Sequence, residues 1–130
     1  MSEFFTAIET ACEGLIYISE TDAPVLPFAG SAATEVTGEV ILQQTEAKAD
    51  EPIEEVSITE FFGRLTAVKD WFGEAERARA IKFLDLHKLI EENLCNGKVF
   101  RIGAIRVQIF VVGINAEGRL MGVSTEAVET

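Results

Sequence analysis

The side chains best suited to chemistry are few: one histidine (His87), two cysteines (Cys12 and Cys95), one tryptophan (Trp71) and two adjacent carboxylate pairs, Glu54-Glu55 and Glu91-Glu92. A lone imidazole can shuttle a proton, but a single histidine inside a helical pattern is more often packed or solvated than catalytic. Zinc needs several Cys or His ligands at close spacing, and the three present here are scattered. Neighbouring carboxylates on a helix diverge rather than converge on one substrate atom, so both Glu pairs read as solvated. The glycines form neither a phosphate loop ending in Gly-Lys-Ser/Thr nor a dinucleotide fingerprint after a strand. The residue types therefore point to binding rather than catalysis, and an enzyme would require carboxylates that converge only on folding.

Charge narrows what could be bound. The formal net charge is -11, which repels nucleic acid and anionic membrane surfaces and favours a basic partner. The excess is lopsided: residues 1–65 hold 13 Asp or Glu against Lys48 and Arg64, whereas residues 66–130 hold 9 of each sign. Such asymmetry suits an acidic interaction surface, or a face that only aids solubility. The amino end lacks a basic stretch followed by an apolar one, and no segment is long and apolar enough to span a bilayer, so the expected location is cytoplasmic. In a reducing compartment Cys12 and Cys95, both placed on helices by pattern, are expected to be buried free thiols.

Positioning falls to one expected domain over residues 1–130, whose 48% hydrophobic content and mean hydropathy of +0.20 allow a core of its own. Ser2 is placed to cap a helix running to about Cys12, with Gly14 to end it. Leu15 to Ile18 is a short apolar run that stops at Ser19-Glu20-Thr21-Asp22, an exposed turn. Val25 to Phe28 suits an edge strand broken by Pro27. Glu35 to Gln43 alternates as a strand, with Val36, Val40 and Leu42 on one side. Ser57-Ile58-Thr59-Glu60 is a capping box opening a short helix, and Asp70-Trp71 follows it in a connection. Glu74 to Cys95 is the longest helical pattern, with a broad apolar stripe through Ala78, Ile81, Leu84, Leu89 or Lys88, and Ile90 to Leu94, and Asn96-Gly97 as its terminator. Val99–Ile102, Ile105–Val112 and Leu120–Val128 suit an antiparallel meander. Helices interspersed with such a sheet predict an α/β fold with helices on both faces.

Particular strings add to this. Gly14-Leu15-Ile16-Tyr17-Ile18-Ser19-Glu20, Glu39-Val40-Ile41-Leu42-Gln43-Gln44-Thr45, Asp70-Trp71-Phe72 and Gly122-Val123-Ser124-Thr125-Glu126-Ala127-Val128-Glu129-Thr130 occur in order along the chain. On these strings the sequence from Ala11 to Thr130 resembles the nuclease A inhibitor family, small acidic proteins that block a sugar-nonspecific DNA and RNA nuclease. It departs from the family pattern over Val25-Leu26-Pro27-Phe28-Ala29-Gly30. The resemblance implies a three-layer α/β/α sandwich with a mostly antiparallel sheet and no catalytic activity. It implies that Glu20 takes the place of the scissile phosphate in a nuclease of the ββα-metal type. It further implies that Thr130 gives oxygen to the Mg²⁺ held by that nuclease, the chain having no cofactor of its own, and that Asp70 and Trp71 make a second contact.

The residue chemistry agrees with these implied roles. A site built for a phosphodiester is rich in donors, and a carboxylate on a rigid turn can replace the phosphate charge. Mg²⁺ takes hard oxygen ligands, and a chain ending in Thr offers a hydroxyl and a carboxylate together. Tryptophan is enriched among interface hot spots. The competing expectation is an acidic module that binds a cationic or metal-containing small ligand without any nuclease.

Overall fold

In the computed structural model, which describes residues 3–45, 47 and 50–129, the elements follow in the order α1 (Glu3–Cys12), β1 (Ile16–Ile18), β2 (Asp22–Pro24), β3 (Leu26–Ala32), α2 (Gly38–Gln44) and β4 (Ile53–Val56). After these come α3 (Ile58–Thr66), α4 (Glu74–Asn93), β5 (Cys95–Ile102), β6 (Arg106–Ile114) and β7 (Arg119–Val128). The three β-branched runs near the carboxy end form the expected meander, and β3 and β4 flank it to give an antiparallel sheet in the order β3-β7-β6-β5-β4. β1 and β2 form a separate hairpin.

Strand side chains alternate between two cores, as period-two geometry requires. Val99, Val107, Ile109, Val111, Val123 and Ala127 meet Ile8 and Cys12 of α1, Phe61 and Phe62 of α3, and Phe83, Leu86 and Ile90 of α4. On the opposite face Phe100, Ile102, Phe110, Val112 and Leu120 pack beneath Val36 and Ile41. With α1, α3 and α4 on one side and α2 on the other, this is the α/β/α layering expected of the sequence. β6 is buried on both faces, which explains why it reads as an almost continuous apolar run.

Five local expectations are corrected. Glu35–Gln43 does not form a strand: Gly38–Gln44 is helix α2, capped by the Thr37 hydroxyl, which accepts from the Val40 N–H at 3.2 Å. Alternation would have turned Ile41 away from Val36 and Val40, yet Ile41 is fully buried, so helical spacing governs this segment. Pro27 does not break its strand either. It stands opposite Val123 in β3, an edge strand, where one side of the backbone has no ladder to lose.

In α4 the buried row is Ala80, Phe83, Leu86 and Ile90, so Ile90 of the expected stripe reaches the core whereas Ala78, Ile81 and Leu84 are exposed. Two apolar rows about half a turn apart compete for the core, and the row carrying Phe83 takes it. Asn96 does adopt a left-handed backbone, φ 56°, but inside β5, where the pairing shifts between Cys95 and Lys98. The helix instead ends on an extended Leu94. Cys95 therefore opens a strand and is exposed. Cys12 is buried, both thiols are free, and burial pushes the Cys12 thiol up to about 11.

Other signals match their elements. Gly14 has φ +69° beyond α1, and the Ser57 hydroxyl accepts from the Glu60 N–H at 3.1 Å at the start of α3. The predicted Ser2 cap lies outside the described residues. No helix among the described residues is long and apolar enough to cross a membrane.

Candidate partner-binding site

Glu20 sits in the three-residue loop Ser19-Glu20-Thr21 that joins β1 to β2, with Ile18 paired to Asp22 at its base. A loop this short would be mobile without local bonds, and Ser19 supplies them. Its hydroxyl donates to the Thr21 carbonyl oxygen at 2.9 Å and its own N–H donates to the same oxygen at 3.2 Å. The same hydroxyl accepts the Val128 N–H at 3.0 Å, and the Glu20 N–H donates to the Val128 carbonyl oxygen at 3.4 Å. Thr125, further back on β7, donates from its hydroxyl to the Pro24 carbonyl oxygen at 3.0 Å. The hairpin is thus sewn to the last turns of β7 at both ends, and the exposed Glu20 is held beside the carboxy-terminal segment.

That segment is itself anchored. The Glu129 N–H donates to the Ile105 carbonyl oxygen at 2.8 Å, and its carboxylate forms an ion pair with Arg101 of β5. Arg101 also meets Glu54 of β4, Nε to Oε1, at 3.3 Å. Burial acts to lower the Arg101 pKa, but the Glu129 hydrogen bond and charge, with Tyr17, outweigh it and push the value up, so the guanidinium stays charged. Tyr17 lies parallel to Phe61 at 5.9 Å, which docks β1 on α3. Thr130 lies outside the described residues.

Asp70 and Trp71 occupy the tight turn between α3 and α4, closed by the Phe72 N–H donating to the Lys69 carbonyl oxygen at 3.0 Å. Trp71 is 75% exposed, with its ring edge-on to Phe72 at 4.7 Å. An indole this exposed gains little from the fold's own burial. Glu76 accepts from the Gly73 N–H at 3.0 Å and Arg77 Nε donates to the Phe72 carbonyl oxygen at 3.3 Å, so the turn is fixed to the start of α4. A groove of about 330 Å³ runs between the hairpin and that helix, with Ile18 and Asp22 on one wall and Ala75 and Arg79 on the other. The groove is lined by residues flanking the Glu20 loop and by the first turns of α4, while Glu20, Asp70 and Trp71 are not among its lining residues.

The remaining polar groups have structural company. His87 stacks on Phe62 at 4.6 Å, and its Nε2 lies 2.8 Å from Glu91 Oε1 without hydrogen-bond alignment. Glu54 and Glu55 lie on β4, not on a helix, and face Arg101 and Lys98 across the sheet edge. With Glu60, Glu129 and Arg64 they line an open cleft of about 580 Å³, where the carboxylates stand at the solvated rim and not at a floor. Among the described residues no group of three or more His, Cys, Asp or Glu side chains is placed to hold a metal ion.

Sequence reasoning missed Ser19 and Arg101. Serine in a polar turn carries no sign of a bond to a residue 109 positions on, and an arginine within a β-branched run shows only that one strand position is polar. No curated protein matches the chain. The family model of nuclease A inhibitor-like proteins matches residues 2–130, and a match over nearly the whole length places the chain in that family.

Proposed function

We propose that the chain inhibits a metal-dependent, sugar-nonspecific DNA/RNA nuclease by filling its active site with Glu20 and the carboxy-terminal residue. Family membership supports a nuclease-inhibitor role in general. The observation that supports the finer reading is the pair of hydrogen bonds between the Ser19-Glu20 loop and Val128, which holds the Glu20 loop beside the end of β7. A pre-set arrangement of this kind binds without losing loop freedom at the moment of contact.

The partner in this reading is a nuclease of the ββα-metal type. Glu20 stands where the scissile phosphate would lie, in a site whose donors are arranged for an anion. Thr130 contributes oxygen to the Mg²⁺ that the nuclease holds, and the chain supplies no cofactor. Trp71 and Asp70 make the second contact: the indole fills an apolar recess and the carboxylate meets a basic group. The net charge of -11 fits a cationic active-site cleft and speeds the encounter. The chain acts as a binding protein, not an enzyme, in the cytoplasm, and engages neither nucleic acid nor membrane.

The role of the carboxy end is tested by comparing tags. Residues appended after Thr130 should weaken inhibition by about tenfold or more, whereas the same residues placed before Met1 should leave it unchanged, because only the former stand between the end and the nuclease metal. Equal potency of the two tagged chains would remove Thr130 from the site.

A further inference from the structure

Three segments far apart in sequence meet at one side chain. Arg101 lies on the α1, α3 and α4 face of β5, in register with Glu54 of β4, and its guanidinium reaches the Glu129 carboxylate at the end of the chain and Glu54 at the sheet edge. Tyr17, two residues ahead of Ser19, borders the same cleft beside Phe61. The Arg101 side chain is only 17% exposed, so its ion pairs are less screened than those of an ordinary surface arginine.

The planar fork suits this position. Arginine can give separate N–H edges to two carboxylates at once, with Nε toward Glu54 and a terminal nitrogen toward Glu129. Lysine has one point of charge and could not hold both in fixed directions. Among the described residues the Glu129 backbone is otherwise tied down by one bond, its N–H to the Ile105 carbonyl oxygen, and strand pairing stops at Val128. A segment held by one backbone bond beyond its strand frays.

We infer that Arg101 is a positioning residue: by gripping Glu129 it fixes the carboxy-terminal residues relative to the Glu20 loop, and so prepares the inhibitory surface without itself entering the nuclease. The inference rests on the inhibitory reading for its function but not for its geometry. Arg101 acts from behind the surface, through Glu129, while Ser19 acts on the loop from the other side through Val128.

The test joins a measurement made without nuclease to one made with it. In the isolated chain, Arg101→Met should speed hydrogen exchange of the Glu129 amide by about tenfold, while core amides such as Ile109 and Val111 keep their protection. Glu129→Gln should reproduce this, Arg101→Lys should rescue it only partly, and Glu54→Gln should leave it unchanged. Against the nuclease, Arg101→Met and Glu129→Gln should each weaken inhibition by about tenfold, and the double variant should be no weaker than either alone, since both break one link.

Unchanged exchange at Glu129, or losses that simply add, would overturn the inference. Faster exchange throughout the core would also overturn it, by making Arg101 a general support of the sheet. Faster exchange at Glu129 alone, in a chain that fails to inhibit when unmodified, would support the latch while refuting the inhibitory reading.

Discussion

Replacing Glu20 with alanine should weaken inhibition by about a hundredfold or more while moving the melting temperature by no more than about 2 °C. The two halves of this expectation have separate causes. The carboxylate is exposed, and the loop's shape is set by the Ser19 hydroxyl and by backbone bonds to Thr21 and Val128. Removing an exposed side chain from such a loop changes stability by about 0.5 kcal/mol at most. In the proposed complex the same carboxylate would be desolvated among donors arranged for a phosphate, and removing one partner of a buried charged pair costs about 2–5 kcal/mol. Glu20→Gln keeps the size and should lose nearly as much, because the charge is what replaces the phosphate. Inhibition constants paired with thermal melts decide the matter. A large drop in melting temperature would make Glu20 a residue of the fold, and unchanged inhibition would remove it from the site.

Trp71→Ala should come second, costing about 2–4 kcal/mol of binding, in the range of hot-spot truncations. At 75% exposure the indole contributes little to the isolated chain, so the melting temperature should again hold. Trp71→Phe should recover part of the loss, since it keeps an aromatic face but lacks the indole N–H and some area. Titration calorimetry with the nuclease reads both values. Affinity unmoved by Trp71→Ala would show that the α3–α4 turn lies outside the contact. Because the two residues stand on separate loops, the Glu20 and Trp71 losses should nearly add.

Much of the frame was legible from the chain. The meander announced itself by β-branched runs between turn residues, α3 by its Ser57 cap, and the Glu20 loop by four polar residues before Pro24. What failed was periodicity over short or doubly apolar segments. Val36, Val40 and Leu42 fit alternation as well as a helix, and only the burial of Ile41 under α2 decides between them. α4 carries two apolar rows, and nothing in its sequence says that the sheet takes Phe83 and Leu86 over Ile81 and Leu84.

The candidate site was legible as residue types and not as an arrangement. Glu20 and Trp71 could be singled out by resemblance, and both side chains are exposed. That Ser19 reaches Val128 and Arg101 reaches Glu129 depends on β1 and β2 lying along β7, a tertiary fact with no local signature. The departure at Val25–Gly30 is accommodated for the same reason. Pro27 falls on the sheet edge, and the Gln44 side chain from α2 covers that edge, accepting the Ser31 N–H at 2.7 Å and donating to the Ala32 carbonyl oxygen at 3.3 Å.

Inhibition itself is read by titrating the untagged chain into a Mg²⁺-dependent nonspecific nuclease of the ββα-metal type and following plasmid degradation at moderate salt. Activity should fall linearly and reach zero near one chain per nuclease. Full activity at large excess over several such nucleases, with the chain folded by circular dichroism, would contradict the inhibitory role and turn attention to a cationic or metal-containing ligand.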